Sequence, residues 1–220
     1  MNQQLLLVVV FLVVVMIAVL AWQQYGKQRR AKQMRAGAAA LGYLFAEEHA
    51  GLLETLRGLT SFTEIGPHTR QTTNVMRTEA DGTAVTIFDY SYWLGQRKNR
   101  RYVRQSVLLF ESERLDLPAF ALRPEGLTEK LQGVLGQPDI DFEEQPAFSA
   151  AYVLQGADET RIRILFDSAK LAFFAQRRGL RVEGNGRQLL YYRAGKLVSP
   201  GAIPSFIEEG RVVLRLLAGA

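Results

Sequence analysis

The chain contains no cysteine among its 220 residues. This absence excludes a disulfide framework, a zinc site with thiolate ligands, an iron–sulfur cluster and a cysteine nucleophile. The two histidines, His49 and His68, are too far apart to make more than a weak argument for a metal site. No phosphate-binding Gly-Lys-Ser/Thr loop and no Gly-x-Ser-x-Gly motif occurs either. The sequence therefore predicts no cofactor, no metal ligand and no catalytic residue.

Acidic residues are absent from the first 36 positions, which instead carry five cations. These five account for the whole formal net charge of +5, because the other 22 Lys and Arg balance the 22 Asp and Glu. A nucleic-acid-binding domain is expected to carry a basic patch of its own, so no nucleic acid partner is predicted. The five cations are predicted to contact a membrane surface: Lys27, Arg29, Arg30, Lys32 and Arg35.

An uninterrupted apolar run of 18 residues, 5–22, precedes these cations. It approaches the ~20 residues that a spanning helix needs, and Trp22 and Tyr25 follow where an interfacial aromatic belt is expected. A cleaved signal peptide is the alternative, but no Lys or Arg precedes the run, and the run exceeds the usual signal length. We predict a single-pass transmembrane helix over residues 5–25. Cations on its C-terminal side predict a cytoplasmic domain at a bacterial inner membrane.

The sequence pattern of the remaining chain predicts an α+β protein. Residues 26–58, rich in Ala, Lys, Arg and Gln, predict a juxtamembrane helical linker, with a packing stripe formed by Leu41, Phe45, Leu52 and Leu56. Residues 60–220 predict one soluble α+β domain of antiparallel β-hairpins and packed helices.

Turn signals define the hairpins of this domain. Asp81-Gly82 favours a type I′ turn between strands over 74–80 and 84–93, and a third strand is expected over 101–111. Residues 184–186 mark a second hairpin, and the prolines within 117–124 predict an extended segment. Helices are expected over residues 129–135, over 159–177, and near the C-terminus after a capping-box spacing at Ser205–Glu208.

Several phrases resemble a family of bacterial membrane-anchored proteins. The resemblance covers roughly residues 62–216 and departs from the family pattern at Ser106, where threonine is expected. It implies a membrane-anchored protein, and it brings no activity, cofactor or catalytic residue with it. The phrases are FDYSY at 88–92, QSV at 105–107, LPAFALRPE at 117–125, DIDF at 139–142 and PAFSAAY at 146–152.

Two charged clusters leave alternatives open. The acidic residues of 139–144 could hold a hard cation, although the glycine and spacing of an EF-hand are missing and a solvated loop is favoured. The basic residues of 97–104 could meet phosphates or lipid headgroups, or form a solvated hairpin tip; strand alternation would place Arg100, Tyr102 and Arg104 on one face.

Two hypotheses for function follow. The favoured one is a non-enzymatic, membrane-tethered module that binds a protein partner, a lipid surface or a second copy of itself. The alternative is a hydrolase-like enzyme whose site assembles from distant segments. Its first candidates would be Asp89, Asp139, Asp141 and His68.

Overall fold

A computed structural model describes residues 3–49, 51–59, 70–95, 100–126 and 139–219. The chain begins with one long helix, α1 (Gln3–Leu41), whose first half is long and apolar enough to cross a membrane, and none of that apolar stretch is buried in the protein. The α+β class with an N-terminal apolar helix, expected from the sequence, is confirmed.

The eight strands found in these residues form one antiparallel sheet in the order β1-β2-β3-β4-β8-β7-β5-β6. Its first half is a meander, in which each strand pairs with its sequence neighbour. The second half is joined to it through β4 and β8. The strands are β1 (Leu44–Ala46), β2 (Gln71–Ala80), β3 (Thr83–Leu94), β4 (Arg101–Ser112), β5 (Leu117–Pro124), β6 (Tyr152–Gly156), β7 (Arg181–Gly186) and β8 (Gln188–Tyr192).

Short helices connect and cover the strands. The one-turn helix α2 (Leu52–Thr55) is followed by a 3-10 turn, and α3 (Pro146–Ser149) precedes β6. Two further helices are α4 (Glu159–Leu165) and α5 (Ser168–Ala175). Asp158 and Asp167 directly precede them, and each aspartate side chain accepts a hydrogen bond from a free backbone N–H group of the first turn.

The C-terminal helix α6 (Ile203–Ala218) covers one face of the sheet. A Cβ atom at Gly210 would collide with the side chain of Leu108, so the missing side chain allows α6 to lie directly on β4. The helix begins at Ile203, and no side chain caps it at Ala202, so the capping box expected at Ser205 does not form.

Two hydrophobic clusters occupy the two faces of the sheet. The larger contains the inward residues of α4, α5 and α6, together with Met34 and Ala38 of α1. The smaller lies on the opposite face, where Leu52, Leu56 and Leu59 cover the aromatic residues of β3. Phe88, Tyr90 and Tyr92 are buried in this second cluster, so their face of β3 serves core packing.

The helical linker predicted over 26–58 differs from the structure. Helix α1 ends at Leu41, because Gly42 adopts a left-handed backbone (φ 72°) and the amide of Tyr43 bonds to the carbonyl of Ala38. The following residues of β1 pair with β2, so the sheet begins at residue 44 and a domain boundary at residue 60 would cut through it. The helix expected over 129–135 lies outside the described residues.

Candidate functional site at the junction of helix and sheet

An ion pair joins α1 to the sheet. The guanidinium of Arg30 donates from Nε to Oδ2 of Asp89 at 2.5 Å and from Nη2 to Oδ1 at 2.7 Å, in the parallel two-bond geometry that makes such pairs strong. The side chains are 13% and 3% exposed, respectively. A third bond, from Nη1 to the carbonyl of Val198 at 2.9 Å, fixes the guanidinium against the segment that precedes α6.

Two further side chains complete the hydrogen bonding of Asp89. Ser106, directly opposite on β4, donates from Oγ to Oδ1 at 2.9 Å and accepts from the backbone N–H of Val198 at 3.0 Å. Asn74 of β2 donates from Nδ2 to Oδ2 at 2.9 Å. A buried carboxylate is tolerated only when it is paired and hydrogen-bonded, and this one is both.

A β-bulge directs Asn74 toward the carboxylate. The β2–β3 register shifts between Thr73 and Met76, and Asn74 has a left-handed backbone (φ 53°) that asparagine tolerates better than most residues. Its backbone N–H bonds to the carbonyl of Glu47, next to the end of β1. Asn74 therefore connects the β-bulge, the ion pair and the end of β1 through hydrogen bonds.

The helix packs onto the sheet along the same face that carries Arg30. Met34 and Ala38 follow it at four-residue spacing, which places all three side chains on one side of the helix. Both are almost fully buried, at 1% and 0% exposure. The C-terminal part of α1 is thus part of the folded domain, and the apolar part continues from it without a break.

A cavity of about 760 Å³ lies between α1 and the end of the β3–β4 hairpin. From Arg30 back to Trp22 the helix covers about 12 Å at 1.5 Å per residue. From Asp89 on to Trp93 the strand covers about 13 Å at 3.3 Å per residue. Both endpoints line the cavity, so helix and strand run side by side in opposite directions. Trp93, near the end of β3, is therefore level with the end of the apolar run.

Exposed aromatic rings mark this level. Trp93 and Tyr102 lie across the hairpin from each other with ring centres 5.1 Å apart, and they are 44% and 45% exposed. The guanidinium of Arg100 lies 5.1 Å from the centre of the Trp93 ring. Trp22 on the helix is 79% exposed. Tryptophan and tyrosine are the residues enriched where a bilayer meets water.

Comparison with known proteins gives one structural likeness. No protein-family model and no curated protein sequence matches the chain. The crystal structure of the mycobacterial trehalose monomycolate transport factor A, TtfA, superposes with a TM-score of 0.61. The two sequences are 14% identical, and the match covers 86% of this chain and 92% of that one. At this identity the likeness shows a shared α+β fold.

The five cations predicted to contact a membrane have different surroundings. Arg30 is a correction: its side chain is turned into the domain and held by Asp89, because a buried carboxylate requires a cation. Lys27 and Lys32 line cavities beside the sheet. Arg35 forms an exposed 2.9 Å ion pair with Glu47, and Arg29 is exposed. For these four residues, membrane contact stays a prediction.

The candidate acidic residues of the enzyme hypothesis lie in two separate places. Asp89 is held by Arg30, whereas Asp139 accepts a 2.6 Å bond from Gln155 of β6, five strands away from β3 in the sheet. Asp141 lines an open cavity of about 580 Å³ with Asp139. The fourth candidate, His68, lies outside the described residues. Within the part of the chain that the structure describes, no three His, Asp or Glu side chains are grouped to hold a metal ion.

A second polar network lies between β8 and α6. Tyr191 donates to Oε2 of Glu209 at 2.8 Å, and Arg193 donates to the same oxygen at 2.8 Å. Burial, followed by the hydrogen bond to Glu209, raises the pKa of Tyr191 above its ordinary value, so the phenol stays a donor. This network ties β8 to α6 at one wall of an apolar groove that includes Phe173 and Val212.

Proposed function

We propose that this chain is a non-enzymatic, membrane-tethered module that holds its sheet domain against the cytoplasmic surface of a bacterial inner membrane. In this proposal the apolar part of α1 spans the bilayer and the lipid surface is the first partner. A protein partner or a second copy could then bind to the domain in its fixed position. The chain would belong to the family of bacterial membrane-anchored proteins whose sequence phrases it shares.

The buried pair of Arg30 and Asp89 carries this proposal. A flexible linker would leave a tethered domain free to turn, whereas here a continuous helix enters the domain and is fixed by four hydrogen bonds donated by Arg30. The attachment sets Trp22, Trp93 and Tyr102 at one level. That arrangement suits a domain that touches the headgroup region.

Two further observations support a role at a lipid surface. The fold is shared with a protein that is named for the transport of trehalose monomycolate, a lipid. Asp89 lies apart from Asp139 and Asp141, so the described candidates of the enzyme hypothesis do not form one common site. Because residues 37–220 have no net charge, a role in nucleic-acid binding is not proposed.

Tryptophan fluorescence in membranes tests the proposal, because the chain has only two tryptophans, Trp22 and Trp93. The full-length Trp22→Phe variant, reconstituted in phosphatidylcholine vesicles, leaves Trp93 as the sole probe. Its emission is expected to be quenched by lipids brominated near the headgroup end of the acyl chain, since the hairpin end would touch the interface. The measurement is the quenched fraction at increasing content of brominated lipid.

The Trp93→Phe variant is the matched control, because Trp22 directly follows the apolar run and should be quenched wherever that run spans the membrane. Suppose that brominated lipid quenches Trp22 in the control but does not quench Trp93, and that aqueous iodide quenches Trp93 fully. This combination would show that the domain does not touch the bilayer. That result would overturn the proposal and leave the anchor intact.

The cytoplasmic orientation is tested separately with C-terminal fusions to a fluorescent protein and to alkaline phosphatase in bacterial cells. Five cations follow the apolar run and none precedes it, so the domain side is expected to stay inside. The fluorescent fusion should be bright and the phosphatase fusion inactive. The reverse pattern would place the domain on the outer side.

A further inference from the structure

We propose that the cavity between α1 and the β3–β4 hairpin end, called here the junction cavity, binds the phosphate of an anionic phospholipid headgroup. The inference rests on the proposed function, since it needs the cavity to stand at the bilayer surface. The ligand is an anionic phospholipid, and side chains of the cavity wall select it. The residues that line the cavity include Trp22, Gly26, Lys27, Trp93, Tyr102 and Arg104.

Two cations line this cavity, and no acidic side chain of the described residues forms an ion pair with them. Lys27 comes from the helix and Arg104 from β4. Neither forms an ion pair with another residue in the described part of the chain. The buried carboxylate of Asp89, which lines an adjoining cavity with both cations, is already neutralised by Arg30. The cavity therefore carries a local positive charge, which complements a phosphate group.

The remaining walls fit a lipid headgroup. Trp22, Trp93 and Tyr102 provide exposed apolar ring surface, and the hydroxyl of Tyr102 donates to Ser91 at 2.9 Å, which holds the ring across the hairpin. Gly26 adds no side chain to the wall, and a Cβ atom there would meet nothing within 4 Å. A headgroup can enter from the bilayer side between these rings, with its phosphate between the two cations.

The charge of the cavity favours anionic over zwitterionic lipids. Aromatic rings alone would also attract the quaternary ammonium of phosphatidylcholine. Lys27 and Arg104 repel that ammonium and leave the phosphate of phosphatidylglycerol as the better ligand. A soluble phosphate compound is less suited, because the apolar ring surface would then face water instead of acyl chains.

Native mass spectrometry of the full-length protein tests this selection. The protein is presented with equal amounts of phosphatidylglycerol and phosphatidylcholine in mixed micelles, and the retained lipids are counted. The wild-type chain is expected to retain phosphatidylglycerol preferentially. In the double variant Lys27→Gln/Arg104→Gln this preference should fall by roughly 30-fold. Each cation near an anionic group contributes about a fivefold preference, and the two contributions multiply.

The control variant Arg29→Gln/Arg101→Gln removes the same charge from the same two elements, at residues that do not line the cavity. Its preference for phosphatidylglycerol should stay at least ~10-fold above that of the cavity variant. An equal loss in both variants would show diffuse attraction and overturn the site, as would a wild-type protein without any preference. Thermal unfolding of both variants verifies that the domain remains folded.

The two proposals fail in different ways. Quenching of Trp93 in pure phosphatidylcholine vesicles measures contact between the hairpin end and the bilayer, whatever the headgroup. If Trp93 is quenched and lipid preference is absent, the headgroup site is wrong and the proposed function stands. If Trp93 is not quenched in any vesicle, the proposed function is wrong, and the headgroup site that depends on it is wrong as well.

Discussion

Replacing Arg30 by alanine is expected to lower the free energy of unfolding of the domain by roughly 3–5 kcal/mol, the usual loss when one partner of a buried ion pair is removed. Asp89, which is 3% exposed in the intact protein, would keep only the neutral donors Asn74 and Ser106 as hydrogen-bond partners. The measurement is urea-induced unfolding of the full-length protein in detergent, followed by circular dichroism.

Its neighbour Arg29 provides the matched control, since this exposed cation belongs to the same turn of α1. Arg29→Ala should change the free energy of unfolding by less than ~0.5 kcal/mol, as most surface substitutions do. Arg30→Lys keeps the charge but cannot form the two parallel bonds, and it should fall between the two alanine variants. A loss below about 1 kcal/mol for Arg30→Ala would mean that the pair does not hold the helix to the sheet.

A fragment of residues 60–220 is expected to show no cooperative thermal transition. It lacks Arg30, the cation of the buried ion pair, and it lacks Met34 and Ala38 from the larger cluster. It also lacks strand β1 from the sheet edge and the 52–59 segment that covers the smaller cluster. The buried carboxylate of Asp89 would lose its cation, and the edge of β2 would lose its partner strand.

A fragment of residues 27–220 is the matched control, because it lacks only the apolar segment and the turn that follows it. It retains the ion pair, both clusters and the complete sheet, and it should unfold in one sigmoidal transition. Cooperative unfolding of the shorter fragment would show that the helix merely rests on an independent domain.

Local signals predicted much of the fold from the sequence. At Asp81-Gly82 both residues have positive φ, 51° and 70°, which is the type I′ geometry that the dipeptide favours, and the pairing of Ala80 with Thr83 closes that hairpin. The long apolar run, the extended segment at 117–124 and the C-terminal amphipathic helix were likewise visible as local patterns.

The junction was not predictable by the same means. The charge pattern does not distinguish Arg30 from its neighbouring cations, because a cation that enters a sheet and one that faces lipid are the same residue type in the same basic segment. Its partner lies 59 positions away, and the bulge that brings Asn74 to the same carboxylate leaves no local mark. The four-residue spacing of Arg30, Met34 and Ala38 was the one available signal of a packed helix face.

If Arg30 fixes α1 to the sheet, helix and sheet move as one body in the membrane, and a distance distribution between them measures this directly. Because the chain has no cysteine, Gln24→Cys on the helix and Glu79→Cys on β2 can carry two nitroxide labels in the full-length protein in lipid nanodiscs. Pulsed electron paramagnetic resonance should give a single narrow distribution of the label-to-label distance. A broad distribution, with the domain sampling many positions relative to the helix, would contradict the account.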